Sequence, residues 1–158
     1  MFARATAAEV VVTPIERLQA ITAWLGRFPM ALLQFAFRFA IAAVFWQAGM
    51  TKIASWQTTL TLFTQEYRVP VLPPELAAYM ATTIELTCPV LLFFGVATRL
   101  ATLPMLGQAL VIQLFVYPES WNEHLIWVTI LAFILTRGPG ALSLDHLIAR
   151  SFSARRAA

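Results

Sequence analysis

The chain has 158 residues, of which 59% are hydrophobic and 12% charged, with a mean hydropathy of +0.72. A soluble domain carries about twice that charged fraction, so a water-soluble globular enzyme is excluded and an integral membrane protein is expected. The net charge of +3 is accounted for by basic residues flanking membrane spans, with no call for nucleic acid as a partner, and the single cysteine, Cys88, rules out an intramolecular disulfide or a Cys-x-x-Cys redox pair.

Residues 1–29 form an N-terminal segment ahead of the first span. Glu9, Pro14, Glu16 and Arg17 interrupt any apolar run there, so a cleaved signal peptide is not expected and the first span serves as the targeting signal. Ile15, Leu18, Ile21, Leu25 and Phe28 recur at helical spacing after Pro14, with Trp24 suited to headgroup depth. This predicts an amphipathic helix in the membrane interface.

Four apolar stretches follow, at about residues 31–51, 76–96, 100–117 and 120–137. The first two reach the roughly 20 residues needed to cross about 30 Å of hydrocarbon; the last two are slightly short, which local bilayer thinning reconciles. Between spans one and two, Ser55 is placed to cap a helix whose Trp56, Leu60, Phe63 and Tyr67 share one face, predicting a second amphipathic helix flat on the outer surface. Pro70, Pro73 and Pro74 end it. Only short connections, 97–99 and 118–119, separate the remaining spans, so neighbours are antiparallel and residues 30–137 read as an all-α, up-down bundle of four transmembrane helices. Gly138-Pro139-Gly140 stops the last span, and 138–158 is a short C-terminal tail.

With four spans both flanking segments share a side. That side carries Arg4, Arg17, Arg27, Arg99, Arg137, Arg150, Arg155 and Arg156, against Lys52 and Arg68 on the other, which places both termini of a multi-pass membrane protein in the cytoplasm.

Arg38 and Glu85 are ionisable residues inside spans, where a charge is costly unless it is paired. Arg38 lies about 10 Å and Glu85 about 16 Å from the cytoplasmic edge at a 1.5 Å rise per residue, within reach of each other through an extended arginine. The favoured reading is a structural ion pair between Arg38 and Glu85 that locks spans one and two; the alternative has Glu85 changing protonation while Arg38 holds a quinone oxygen or another anionic group. Lys52 falls on the same face of span one as Arg38, with Ala42, Phe45 and Gly49 between them, so it either snorkels to the outer interface or serves as a ligand contact. Glu123 and His124 open span four. His124 is the best candidate for acid-base work, with an interfacial hydrogen-bonding role among Tyr117, Trp121 and Trp127 as its alternative. Gln47, Gln108 and Gln113 read as interhelical hydrogen bonders that become ligand contacts if two of them face the side of span one that carries Arg38 and Lys52.

No catalytic residue is fixed by these patterns. His146 lies beyond the last span, so a bis-histidine haem is not expected; neither a metal cluster nor a glycine-rich phosphate loop is visible, and Cys88 reads as a packing residue.

The motifs in order are Arg38, Ala48-Gly49-Met50-Thr51-Lys52, Val69-Pro70, Glu85, Phe94-Gly95-Val96-Ala97-Thr98-Arg99 and Gly138-Pro139-Gly140-Ala141-Leu142-Ser143-Leu144-Asp145. Together they resemble the DoxX family over about residues 30–148. The resemblance implies a small four-helix bacterial membrane protein tied to redox or stress systems, the family's name coming from the small membrane subunit of an archaeal thiosulfate:quinone oxidoreductase. The stretch from Tyr117-Pro118 through His124 to Gly140 looks most like members encoded beside metal-responsive peptide-modifying systems.

The resulting expectation is an accessory or quinone-interacting subunit of a redox or metal/oxidative-stress system, at most a membrane subunit of an oxidoreductase. It would have no intrinsic cofactor, with quinone as the candidate ligand near Arg38, Lys52, Glu85, Glu123 and His124. Its partners would be the bilayer and a partner oxidoreductase or metal-stress protein. A non-catalytic membrane scaffold is the alternative, and a small transporter ranks last because four short spans show no repeat symmetry.

Overall fold

The protein is described by a computed structural model covering residues 13–156. Residues 1–12 and 157–158, with Arg4 and Glu9 of the expected N-terminal segment, lie outside the described residues, as do the side chains of 154–158, Arg155 and Arg156 among them. The elements are α1 (Pro14–Gly26), α2 (Met30–Ala54), α3 (Trp56–Leu62) running into a π-helical turn (Phe63–Tyr67), α4 (Pro74–Phe94), α5 (Thr98–Val111) running into a second π-helical turn (Ile112–Val116), α6 (Trp121–Arg137) and α7 (Leu144–Arg156). The described residues contain no strand.

Three helical segments are long and apolar enough to cross a membrane: Met30–Ala54, Pro74–Phe94 and Thr98–Val116. The helix α6 is shorter, at 17 residues. It nonetheless completes a ring in which α2 packs on α4, α4 on α5, α5 on α6 and α6 back on α2. Ile41, Phe45, Cys88, Leu92, Met105, Ala109, Leu131 and Ile134 meet in the core of that ring, so Cys88 is a packing residue. Where water does not drive helices together, close backbone approach does. At Gly49 of α2, a side-chain carbon would sit 2.8 Å from Leu86 Cδ2 and 3.0 Å from Glu85 Cβ of α4, so only glycine permits this spacing.

The N-terminal helix α1 forms as the spacing predicts. A capping box starts it, with Glu16 N donating to Thr13 Oγ1 and Thr13 N donating to Glu16 Oε2, and Pro14 in its first turn, where a missing N–H costs nothing. None of its residues is buried, and Ile15, Leu18, Ile21, Trp24 and Leu25 are all exposed.

One expectation about the connections is corrected. Ser55 stands at the start of α3, but its hydroxyl bonds the Thr58 hydroxyl at 2.7 Å and caps no backbone N–H. The apolar face of α3 and its π-helical turn is also turned inward: Trp56, Leu60, Phe63 and Tyr67 pack with Leu72, Ala77, Ala78 and Ala81 at the start of α4. The segment therefore roofs one end of the ring. Beyond Gly140 the tail forms the 13-residue helix α7.

Candidate functional site

The two charges singled out inside the spans do not meet. Arg38 is fully buried, and its guanidinium donates to the Leu92 carbonyl at 2.9 Å, to the Phe93 carbonyl at 3.4 Å and to the Leu142 carbonyl. Leu92 and Phe93 close α4, where the final carbonyls lack helical donors and the helix dipole favours a cation. The expected Arg38–Glu85 ion pair is thus replaced at its arginine end by a C-cap that ties α2 to α4 and to the residues leading into α7. The Phe35 ring lies 5.5 Å from the guanidinium carbon and completes the packing.

Gly95 makes this clasp sterically possible. It takes the left-handed conformation at φ 69°, and a side-chain carbon there would collide with Arg38 Nη1 and Ser143 Cβ. Asp145 fastens the same corner from α7, accepting from Ala97 N at 2.8 Å and Thr98 N at 3.0 Å while its own N–H donates to the Gly95 carbonyl at 2.8 Å. It thereby caps α5, whose own N-cap residue, Ala97, has no side-chain acceptor. Burial alone would raise the Asp145 carboxyl, but the hydrogen bonds from Thr98 and Ala97 and the charge of Arg38 outweigh it and hold the group below its ordinary value.

Glu85 pairs instead with Lys52. The ammonium lies 2.8 Å from Oε1 and 2.7 Å from Oε2, and Gln108 Nε2 donates to Oε1 at 2.6 Å. Glu85 is 2% exposed and Lys52 18%, so the lysine stem runs inward from the roofed end to a carboxylate that the lipid-facing surface does not reach. Pro89, one helical turn along α4, supplies no N–H to the Glu85 carbonyl, so the helix is locally weakened beneath the buried acid.

The Lys52–Glu85–Gln108 cluster forms one pole of a cavity of about 820 Å³ between the ring and its α3 roof. Its walls are mainly apolar, with Val44, Phe45, Met80, Ile84, Val111 and Trp127 among them, and Gly107 leaves open space where a side chain would stand. His124, 3% exposed, lines the same cavity with its ring 4.9 Å from that of Trp127. Its Nδ1 lies 2.7 Å from Gln113 Oε1, and Gln113 Nε2 donates to the Pro118 carbonyl at 2.8 Å. Exposed Glu123 sits at the rim, in the first turn of α6 where a negative charge suits the helix dipole.

The two π-helical turns meet at the cavity mouth. Such turns are uncommon and concentrate at functional sites. Tyr117 OH donates to Glu66 Oε1 at 2.9 Å and lies 3.4 Å from Tyr67 OH, closing the roof against the end of α5. The hydrogen bond with Tyr67, burial and the interaction with Glu66 together raise the Tyr117 hydroxyl well above its ordinary value, so it stays a protonated donor.

The structure therefore gathers Lys52, Glu85, Glu123 and His124 around one space and leaves Arg38 at the opposite end of the bundle. Of the three span glutamines, Gln108 lines the cavity beside Glu85, Gln113 bonds His124 from outside the lining, and Gln47 is exposed. The Glu66–Tyr67–Tyr117 latch and the capping role of Asp145 were not foreseen; only the Tyr-Pro turn at 117–118 and the acid just after Gly138-Pro139-Gly140 hinted at either.

These features define a small all-helical membrane protein with a half-open, largely apolar cavity holding a partly buried ion pair and a histidine. The DoxX family model matches residues 33–118, more than half of the chain, and the chain belongs to the DoxX family. An uncharacterized protein of Haemophilus influenzae is 29% identical over 127 residues, covering 73% of this chain and 82% of its own length. No solved structure matches the chain.

Proposed function

We propose that this DoxX family member is a quinone-interacting accessory subunit of a redox or oxidative-stress system, holding a lipophilic quinone in the roofed cavity while a partner oxidoreductase supplies electrons. The observation that carries the reading is a mainly apolar space of about 820 Å³ that holds the Lys52–Glu85–Gln108 cluster and His124, with Gln113 bonded to His124 from behind. Ligand sites of this size are mostly apolar, with a few placed polar groups that fix orientation. An isoprenoid-type tail would occupy the apolar walls and a ring oxygen would meet Lys52. Glu123, at the rim, would favour departure of protons toward water.

In the same reading α6 is a fourth span, shortened because the roof of α3 occupies part of the outer leaflet, and the protein is a multi-pass protein of a bacterial inner membrane. The described arginines Arg17, Arg27, Arg99, Arg137 and Arg150 flank the Arg38 end of the bundle, while Arg68 lies at the roofed end; this favours both flanking segments being cytoplasmic. The exposed apolar stripe of α1 then lies in the cytoplasmic interface.

Purification with native lipids tests this reading. About one quinone per chain is expected in the wild type, falling severalfold in Lys52→Met and His124→Ala proteins that stay folded. Quinone no higher than its share of the co-purified lipid would instead support a scaffold without a ligand.

A further inference from the structure

The hydrogen-bond chain behind His124 determines which ring nitrogen faces the cavity. The Pro118 carbonyl is an acceptor only, so the Gln113 group against it, at 2.8 Å, must be the amide NH₂. That orientation turns Gln113 Oε1 toward His124 Nδ1, 2.7 Å away. An amide oxygen cannot donate, so Nδ1 carries the hydrogen, and in the neutral imidazole Nε2 holds a lone pair. Among the described residues Nε2 has no hydrogen-bond partner, although its ring lines the cavity beside Trp127. Across the cavity the complement is reversed. An ammonium has three donors, of which Lys52 directs one at Glu85 Oε1, with Oε2 in ion-pair range at 2.7 Å but not hydrogen-bonded, leaving a donor for a ligand.

We infer that the cavity is built for a lipophilic phenol or hydroquinone, with a ligand hydroxyl donating to His124 Nε2 and a ligand oxygen accepting from Lys52, and that Gln113 is the positioning residue that sets this preference. A fully oxidised quinone carries only acceptors; it satisfies Lys52 but leaves the histidine lone pair facing a carbonyl. A hydroquinone satisfies both poles. Sites built to bond a hydroxyl reject analogues that lack it, because their own polar group is then left unpaired. The inference rests on the proposal that the cavity binds quinone-class molecules, and adds to it the favoured redox state and the residue that selects it.

Three probes of matched bulk separate the two claims: a short-chain benzohydroquinone, its dimethyl ether and the corresponding benzoquinone, titrated anaerobically against the full chain in lipid nanodiscs with tryptophan emission as readout. The hydroquinone should bind about tenfold tighter than the ether and the quinone. Gln113→Leu should erase that preference while ligand-free thermal stability is monitored separately. Equal binding of all three probes would overturn the hydroxyl inference while leaving the quinone-site proposal standing. Binding of none would overturn both. The wild-type comparison alone is decisive even if a variant fails to fold.

Discussion

Removing the charge of Lys52 should show how much of the bundle depends on a partner for Glu85. The ammonium is 2.7 Å from Glu85 Oε2, and at an effective dielectric near 20 the gross attraction is about 6 kcal/mol. Taking a carboxylate that is 2% exposed out of water costs several kcal/mol in return, so the pair is close to balanced as a pair and costly to break from one side. Lys52→Met leaves Glu85 with only the Gln108 hydrogen bond and should destabilise by about 3–4 kcal/mol. Glu85→Gln, which strands a lysine that is 18% exposed and able to reach water, should cost less, about 1–2 kcal/mol. In the Lys52→Met/Glu85→Gln double variant, the two neutral side chains remove the stranded charge, and stability should recover to within about 1–2 kcal/mol of wild type. Unfolding in mixed micelles, followed by tryptophan fluorescence for all four proteins, gives the coupling energy directly. Additive losses, with the double variant least stable of all, would refute the claim that Lys52 is the partner that makes the buried acid tolerable.

Gly95→Ala should be among the most damaging small substitutions, costing about 2–4 kcal/mol, because it combines a left-handed backbone with a collision against Arg38 and Ser143; thermal unfolding checks this, and Gly26→Ala, where nothing lies within 4 Å, is the neutral comparison. Asp145→Asn should cost about 1 kcal/mol near neutrality, as expected for a helix cap. Because the folded-state carboxyl is held below its ordinary value, its contribution is present above about pH 4 and is lost as the pH falls through the lower folded value. The stability gap between wild type and Asp145→Asn should therefore narrow in acid, as followed by unfolding between pH 7 and pH 3. Tyr117→Phe removes the bonded hydroxyl between the two π-helical turns and should loosen the roof by about 1 kcal/mol, seen as faster amide exchange over residues 63–67 and 112–116 with little change around Arg38.

The helices were readable because an apolar run of membrane length, ended by Pro or Gly, leaves few alternatives; the three long spans start and stop within a few residues of where the sequence places them. Side-chain partners were less readable. A rise of 1.5 Å per residue gives depth but neither rotation about the helix axis nor the direction a long side chain takes. Arg38 and Glu85 sit close enough in depth to meet, yet the arginine turns toward the nearer helix end, where carbonyls of α4 lack donors, and Lys52 reaches back down the same face of α2 to take its place. Lys52 does not snorkel to the outer interface; its ammonium turns inward to pair with Glu85. The face of α3 follows from its periodicity, while what that face covers does not, since an apolar stripe fits a lipid surface and a protein roof equally well. The π-helical turns have no dependable local sequence signal and arise from packing between the roof and the end of α5. His124 was selected for its chemistry, but the role of Gln113 depends on a hydrogen-bond chain that only the fold brings together.

The central claim, that the roofed space is a binding site and not a packing fault, is tested most directly by filling it from Gly107. This residue lines the cavity, no atom lies within 4 Å of where its side chain would begin, and replacing a helical glycine should itself stabilise by about 0.5–1 kcal/mol. Quinone content per chain, measured after purification of wild type and Gly107→Leu in native lipids, is the measurement. A variant as stable as wild type, or more so, with at least about a tenfold lower quinone content is the predicted result; unchanged quinone content in a folded Gly107→Leu protein would contradict the account.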